Sequence, residues 1–516
     1  MTHAEPIRPF RRLRFAAALV AGCALAGCGE TPPQTNAPAD RTTPADRDTP
    51  ADREIWEVNY IQGTRIGYGR TTVHDEIRQG RKVLRVEQVT HLVVVRNGDR
   101  TQQEISATSV ETPDGKLLEF TSSTGAAQTV GRVNGNQLDL ETTSRGKTTK
   151  LSVPWSGEYG GPYLMHMSLL DKPLQPGERR TLGVFDPVLV QGVTYEMTAR
   201  DSEPVELPGG SFELLRIDCV MRMGEGQSMR MAAWCDRTGE ILKTQLEAAM
   251  AMETFRTSKA VALEETDVGT LDFVTDLAVA VDRPLPGAQD TKRVRYRVHL
   301  DGGDPAAVFV SGASQQVRSI DSNTAELTVY ALRPGQPGGN PDAPADGSTS
   351  EDIRPNNMIQ SDDPRIVAMA KEAVGDQRDP WQIAQTLERY VNDSITEVDF
   401  SQAFATAAEV AEKPSGDCTE HAVLLTALAR ACGIPARVAV GLVYMPQSRS
   451  FGYHMWTEMY LQDRWIPLDA TLARGGIGAA HLKLAHSHLH GASAYTSFLP
   501  VIQVIGRLKV EVVEAE

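Results

Sequence analysis

The chain has 516 residues, with 52 Lys and Arg against 67 Asp and Glu, giving a formal net charge of −15. That acidic balance argues against a nucleic-acid partner, because phosphate recognition rests on clustered Lys and Arg. At 41% hydrophobic and 23% charged residues the chain is too apolar for wholesale disorder. Its length allows about three domains. The six cysteines are too few for a disulfide scaffold and form no paired CxxC motifs of the kind that hold structural zinc.

At the N-terminus, Arg8, Arg11, Arg12 and Arg14 precede an apolar run from Phe15 to Cys28. The run is too short to span a bilayer and ends in small residues, as a secretory signal does. Leu25-Ala26-Gly27-Cys28 resembles the lipobox of bacterial lipoproteins, and Val20-Ala21-Gly22-Cys23 fits the same pattern. The resemblance implies a signal peptide over 1–28 and a protein of the cell envelope or periplasm, anchored to the membrane by lipid on Cys28 or Cys23. Over 29–53 the tetrad Pro-Ala-Asp-Arg occurs three times. No large apolar residue offsets the entropy of ordering there, so this stretch reads as a disordered tether.

Strand signals come next. From 54 to 265, short alternating runs are separated by turn chemistry, as in Val83–Val95, Pro113-Asp114-Gly115 and Asn134-Gly135-Asn136. Leu215–Met223 and Ser228–Cys235 form a predicted hairpin turning at Gly224-Glu225-Gly226, with Met221, Met223, Met229 and Met231 at period two. That period is one packed strand face rather than a metal-binding methionine box. Cys219 and Cys235 lie equally far from a turn near Gln227, which leaves a bridge or two free thiols open. A second β-rich region and linker occupies 266–350, with strands at Val294–Leu300 and Thr324–Ala331.

A last domain is expected over 351–516, and its helix signals begin at Ser361-Asp362-Asp363-Pro364. Asp363-Pro364 and Asp379-Pro380 are N-cap and first-turn pairs. They lead into one helix with Ile366, Val367, Ala370 and Val374 on a face, stopped by Gly375, and another with Ile383, Leu387, Tyr390 and Val391. Cys418 opens a third, Ala/Leu-rich helix that Gly433-Ile434-Pro435 closes. At such a helix end the free N–H groups and the dipole favour a thiolate. A cysteine there, with an imidazolium near, has its pKa lowered from about 8.5 towards roughly 4–7. His454 and Asp469 fall on the two arms of a hairpin that turns at Gln462-Asp463-Arg464. A nucleophilic cysteine needs a base, and the base needs a carboxylate to fix its tautomer. Cys418, His454 and Asp469 supply all three.

Four ordered motifs carry a resemblance: Gly416-Asp417-Cys418-Thr419-Glu420-His421-Ala422, Arg430–Arg437, His454-Met455-Trp456-Thr457-Glu458, and Trp465-Ile466-Pro467-Leu468-Asp469. Together they resemble the bacterial transglutaminase-like superfamily, within the papain-like cysteine fold. The resemblance implies an α+β chain in which two mostly-β regions precede a transglutaminase-like C-terminal domain. It also implies Cys418 as nucleophile, His454 as general base and acid, Asp469 as orienting carboxylate, and the Cys418 N–H as one oxyanion donor. The substrate class implied is a peptide or protein amide, attacked through a cysteine thioester without a cofactor or metal. Water as acceptor gives a hydrolase or peptidase; a lysine amine gives a transglutaminase. The alternative is a non-catalytic envelope scaffold that binds a partner.

The remaining polar residues read as structural. Cys432 is a core thiol, too far along the helix to bridge to Cys418. Glu420 and His421 support the site or the fold, and Tyr453, Trp456 and Trp465 pack around it. His481, His486, His488 and His490 cluster without a carboxylate or cysteine at ligand spacing, and read as an exposed loop. The C-terminal run Val501–Val513 reads as strands that complete the last domain's sheet.

Overall fold

The computed structural model describes residues 53–516 apart from 97–98, 125–126, 145–146, 224–226, 247–251, 265–271, 273–275, 334–337, 398–404 and 490–498. The expected signal peptide, almost all of the tether, and His490 lie outside the described residues. Among the described residues no helix is long and apolar enough to cross a membrane. The architecture is α+β. A large β region comes first, and the longer helices gather between 364 and 431.

Fourteen antiparallel strands between Arg53 and Thr257 form one sheet, in which nearly every strand pairs with its sequence neighbour. The first, Arg53–Ile61, also pairs with the last, Met252–Thr257, so the chain's two ends of the sheet meet in its middle. Lys147–Pro154 and Arg179–Asp186 are left as its edges. Tight turns explain the meander. Gln62-Gly63 and Gln79-Gly80 have positive φ at both central residues, the primed geometry whose twist matches that of the strands it joins.

Met221, Met223, Met229 and Met231 are all buried along this sheet, as their period requires. The register corrects the disulfide option. Met223 pairs with Gln227, Cys219 with Met231, and Cys235 with Leu215. The strands pair on either side of 224–226, as expected, but in this register the two cysteines do not face each other. Both are free and buried, and burial pushes each thiol up to about 12.

The strands of the second β region do not stand alone. Gln315–Ser319, Thr324–Tyr330 and Arg293–Leu300 form a sheet whose fourth strand is the C-terminal Leu508–Ala515. The terminal run is thus a short helix, Leu499–Val504, and a strand that joins this sheet instead of the one behind Cys418. In the linker between the second β region and the helices, Asp346 is held by Arg437 and the Gly338 carbonyl accepts from Arg464.

The sheet behind Cys418 has the order Val279–Ala280, Ser450–Leu461, Ala436–Met445, His481–Ser487, with Arg464–Leu468 paired to Ser450–Leu461. The Cys418–Ala431 helix packs on it and is buried from Cys418 to Arg430. The helices Pro364–Val374 and Pro380–Ser394 start as predicted, with Asp363 and Asp379 accepting first-turn N–H groups. One expected core residue is not in the core: Val367 is exposed, while Ile366 and Ala370 carry the contact.

Candidate active site

Cys418 owes its position to the cap before it. Asp417 Oδ1 accepts the Thr419 N–H at 2.8 Å, and Glu420 Oε2 accepts the Asp417 N–H at 2.9 Å, which closes a capping box. Glu420 Oε1 takes the Ala405 N–H at 3.0 Å. Burial, and then the Asp417 carboxylate, push Glu420 up to about 8. Gly416 has φ 142°, and a Cβ there would stand 2.4 Å from Glu420 Cγ, so the cap requires the glycine. His421 Nδ1 turns back to the Asp417 carbonyl at 2.6 Å. Both Glu420 and His421 therefore serve the start of the helix.

His454 and Asp469 share one hairpin. Gln462 and Asp463 both have positive φ, and this tight turn sets the register from Leu461 with Arg464 to Thr457 with Leu468. Continued by one residue, the register puts Asp469 opposite Trp456 and diagonal to His454 on the same face. His454 Nε2 lies 2.8 Å from Asp469 Oδ2. From the facing helix, the Cys418 sulfur acts electrostatically on the same imidazole. The three residues that the sequence singles out are thus brought together.

Packing fixes the imidazole from behind. Gly441 pairs with His454 across the strands, and a Cβ on it would meet the Leu482 carbonyl oxygen at 2.0 Å and the Trp456 ring at 2.9 Å. Trp456 stacks on His454 with centroids 6.3 Å apart. It is a packing residue, as expected. Trp465 is also buried, under the Arg437 guanidinium at 3.8 Å.

Burial alone would lower the His454 pKa. The Asp469 carboxylate and the Cys418 sulfur outweigh it and push the imidazole up to about 10. Burial would raise Asp469, but His454 and His481 outweigh that and hold it well below the usual carboxylate range. Asp469 Oδ1 also accepts the Thr471 and Leu472 N–H groups, at 3.0 and 3.4 Å. An imidazole kept as a cation between a sulfur and a carboxylate is what nucleophilic thiol chemistry needs.

Two residues of the site escaped the sequence reading. Glu388 is fully buried and accepts the Asp469 N–H at 3.0 Å, the Gly475 N–H at 2.7 Å and the Gly476 N–H at 3.2 Å. Its burial, against these backbone donors, raises it to about 7. The signal was a carboxylate inside an apolar stripe, since Ile383, Ala384, Leu387 and Val391 are its buried neighbours on the helix. The second is His481. The histidine cluster is not an exposed loop: His481 opens a strand, is buried, and places Nε2 3.0 Å from Asp469 Oδ2. His486 is exposed on the same strand, and His488 pairs with Asp352 at 2.9 Å. The alternation of His481-Leu482-Lys483-Leu484 was the strand signal.

His454, Asp469 and His481 each bring one donor atom within 4.8 Å of the other two, a spacing that a metal ion could also bridge. These atoms are already engaged with one another, however. The carboxylate oxygen occupies the point on which both Nε2 atoms converge, as in shared hydrogen bonds.

Behind the site, Arg437 Nε reaches Glu458 Oε2 at 2.9 Å, and Lys483 Nζ reaches both Glu458 oxygens at 2.6 and 2.7 Å. All three side chains are at most 5% exposed. Burial would raise Glu458, but Lys483 and Arg437 hold it down at about 2.

Solved structures match parts of this chain at low identity. A protein from Cytophaga hutchinsonii described as a candidate cysteine protease is 16% identical, covering 44% of this chain and 85% of its own at a TM-score of 0.27. A β-barrel-like protein of a domain of unknown function from Brucella abortus is 11% identical over 40% of this chain and 96% of its own, at a TM-score of 0.31. The periplasmic domain of TgpA from Pseudomonas aeruginosa, bound to ethylmercury, is 14% identical over 36% of this chain and 91% of its own, at 0.22. No curated protein sequence matches the chain. Residues 367–470 match the family model of the transglutaminase-like superfamily, and that segment contains Cys418, His454 and Asp469: the C-terminal part of this chain carries a transglutaminase-like superfamily core.

Proposed function

We propose that the protein is a thiol enzyme of the cell envelope that opens peptide or glutamine amides through a thioester on Cys418, with water as the acceptor. One observation carries the reading: Cys418 opens a buried helix and acts on the His454 imidazole, whose Nε2 lies 2.8 Å from Asp469. The Cys418 sulfur attacks the amide carbonyl carbon. His454 Nδ1–H protonates the departing nitrogen as the C–N bond breaks, leaving an acyl group on sulfur. Water then attacks the thioester while His454 takes its proton, and the carboxylate product and the Cys418 thiol are released. The Cys418 N–H, one of the first-turn donors that a helix leaves without an intrahelical partner, faces the oxyanion.

Water is favoured over an amine because a lysine side chain, with pKa about 10.4, is mostly protonated at neutral pH. A transferase must desolvate that amine, and the aromatic candidates of the hairpin, Tyr453, Trp456 and Trp465, are buried as packing. The test supplies a glutamine-containing peptide together with a labelled primary amine in excess. Deamidated or cleaved product should exceed amine adduct; amine adduct in excess at physiological pH overturns the hydrolase preference.

The arginine-led leader and the cysteines at 23 and 28 support export and lipid anchoring. Continued acylation of a Cys23→Ala/Cys28→Ala chain would remove the anchoring claim.

A further inference from the structure

Two imidazoles share one carboxylate oxygen. Asp469 Oδ2 lies 2.8 Å from His454 Nε2 and 3.0 Å from His481 Nε2. The two rings meet at 60° with centroids 5.9 Å apart, and Trp456 closes on His481 at 5.3 Å. His454 and Asp469 belong to one hairpin, but His481 arrives on a separate strand, paired with Val443. Its side chain is 1% exposed. The titratable groups that face it are Asp469 and His454; Cys418 and His421 stand beyond His454, on the helix.

We propose that His481 is a positioning residue for the thiol site: as a neutral imidazole it donates Nε2–H to Asp469 Oδ2, holding the carboxylate and tempering its pull on His454. The inference rests on the proposed thiol chemistry, and its physical grounds are simple. An anionic oxygen that takes two N–H donors attracts each less than it would attract one. A second buried cation beside the His454 imidazolium would be repelled, so the pair carries a single positive charge, on His454. An imidazolium held too tightly is a poor acid towards a departing amine. Sharing Asp469 therefore keeps His454 able to both take and give its proton.

The test is nitrogen-15 NMR of histidine-labelled full-length protein, which reads tautomers and titrations directly. In the wild-type protein His481 should be the Nε2–H tautomer; an Nδ1–H tautomer overturns the proposal without any variant. His481→Leu removes the donor and should move the His454 titration upward by about one pH unit. His481→Gln, which keeps an N–H near the same place, should return it to the wild-type position. A merely structural role would lower the melting temperature of both variants and leave the His454 titration in place, and that result overturns the proposal. Iodoacetamide labelling of the same samples separates this failure from a failure of the thiol reading, in which Cys418 is no more reactive than the other cysteines.

Discussion

Asp469→Asn should reduce amide hydrolysis by roughly 10³–10⁴-fold while leaving the fold intact, on the scale seen when the carboxylate of a catalytic triad becomes an amide. The amide keeps an oxygen for the Thr471 and Leu472 N–H groups that Asp469 Oδ1 now accepts, so the turn after Leu468 survives. What changes is the nitrogen facing His454. An NH₂ there forces Nε2 to accept and puts the proton on Nδ1, on the side of Cys418. The imidazole can then no longer receive the thiol proton, and the charge that sustains its cation is gone. Turnover and thermal melting measured on the same variant check this. A loss below about tenfold, with melting unchanged, would show that the carboxylate is not orienting His454.

Glu458→Gln should be the most destabilising single change behind the site, costing about 3–5 kcal/mol. It leaves Arg437 and Lys483 buried without their shared carboxylate, and Asp346 can compensate only Arg437. Lys483→Met should cost less, because Glu458 keeps Arg437 as its partner. Denaturant midpoints compare the two. The pH sign follows from Glu458, whose folded pKa of about 2 lies below its ordinary 4.5. Its stabilisation is present above 4.5 and is lost as pH falls from there towards 2. The glutamine variant should lose part of that acid-side dependence.

Much of the site was legible because its signals are local. The loop before Cys418, the Ala/Leu run after it, and the Gln462-Asp463 turn between His454 and Asp469 each act within about a dozen residues. The hairpin register could be counted, and it places the imidazole and the carboxylate on one face. Glu388 and His481 were not recovered because they depend on long-range pairing. Glu388 reaches Asp469 from a helix eighty-one residues earlier in sequence, and His481 reaches it only once its strand has paired with Ala436–Met445. The same limit applies to the C-terminal strand: alternation marks Leu508–Ala515 as a strand, but nothing local says that its partner is Arg293–Leu300. The disulfide option failed on a smaller matter. Equal spacing of the cysteines was counted from Gln227, but Met223 pairs with Gln227, and that register puts Cys219 opposite Met231.

The central claim is that Cys418 is the activated thiol of this chain, and alkylation tests it without knowledge of the substrate. Four cysteines are described: burial raises Cys219, Cys235 and Cys432, while Cys418 stands at a helix N-terminus against His454. Folded protein should be treated with limiting iodoacetamide at about pH 6, where an ordinary thiol is almost wholly protonated, and each site quantified by mass spectrometry. Modification of Cys418 well ahead of Cys432, and its loss in His454→Ala, is the expected result. Equal labelling of Cys418 and Cys432 would contradict it.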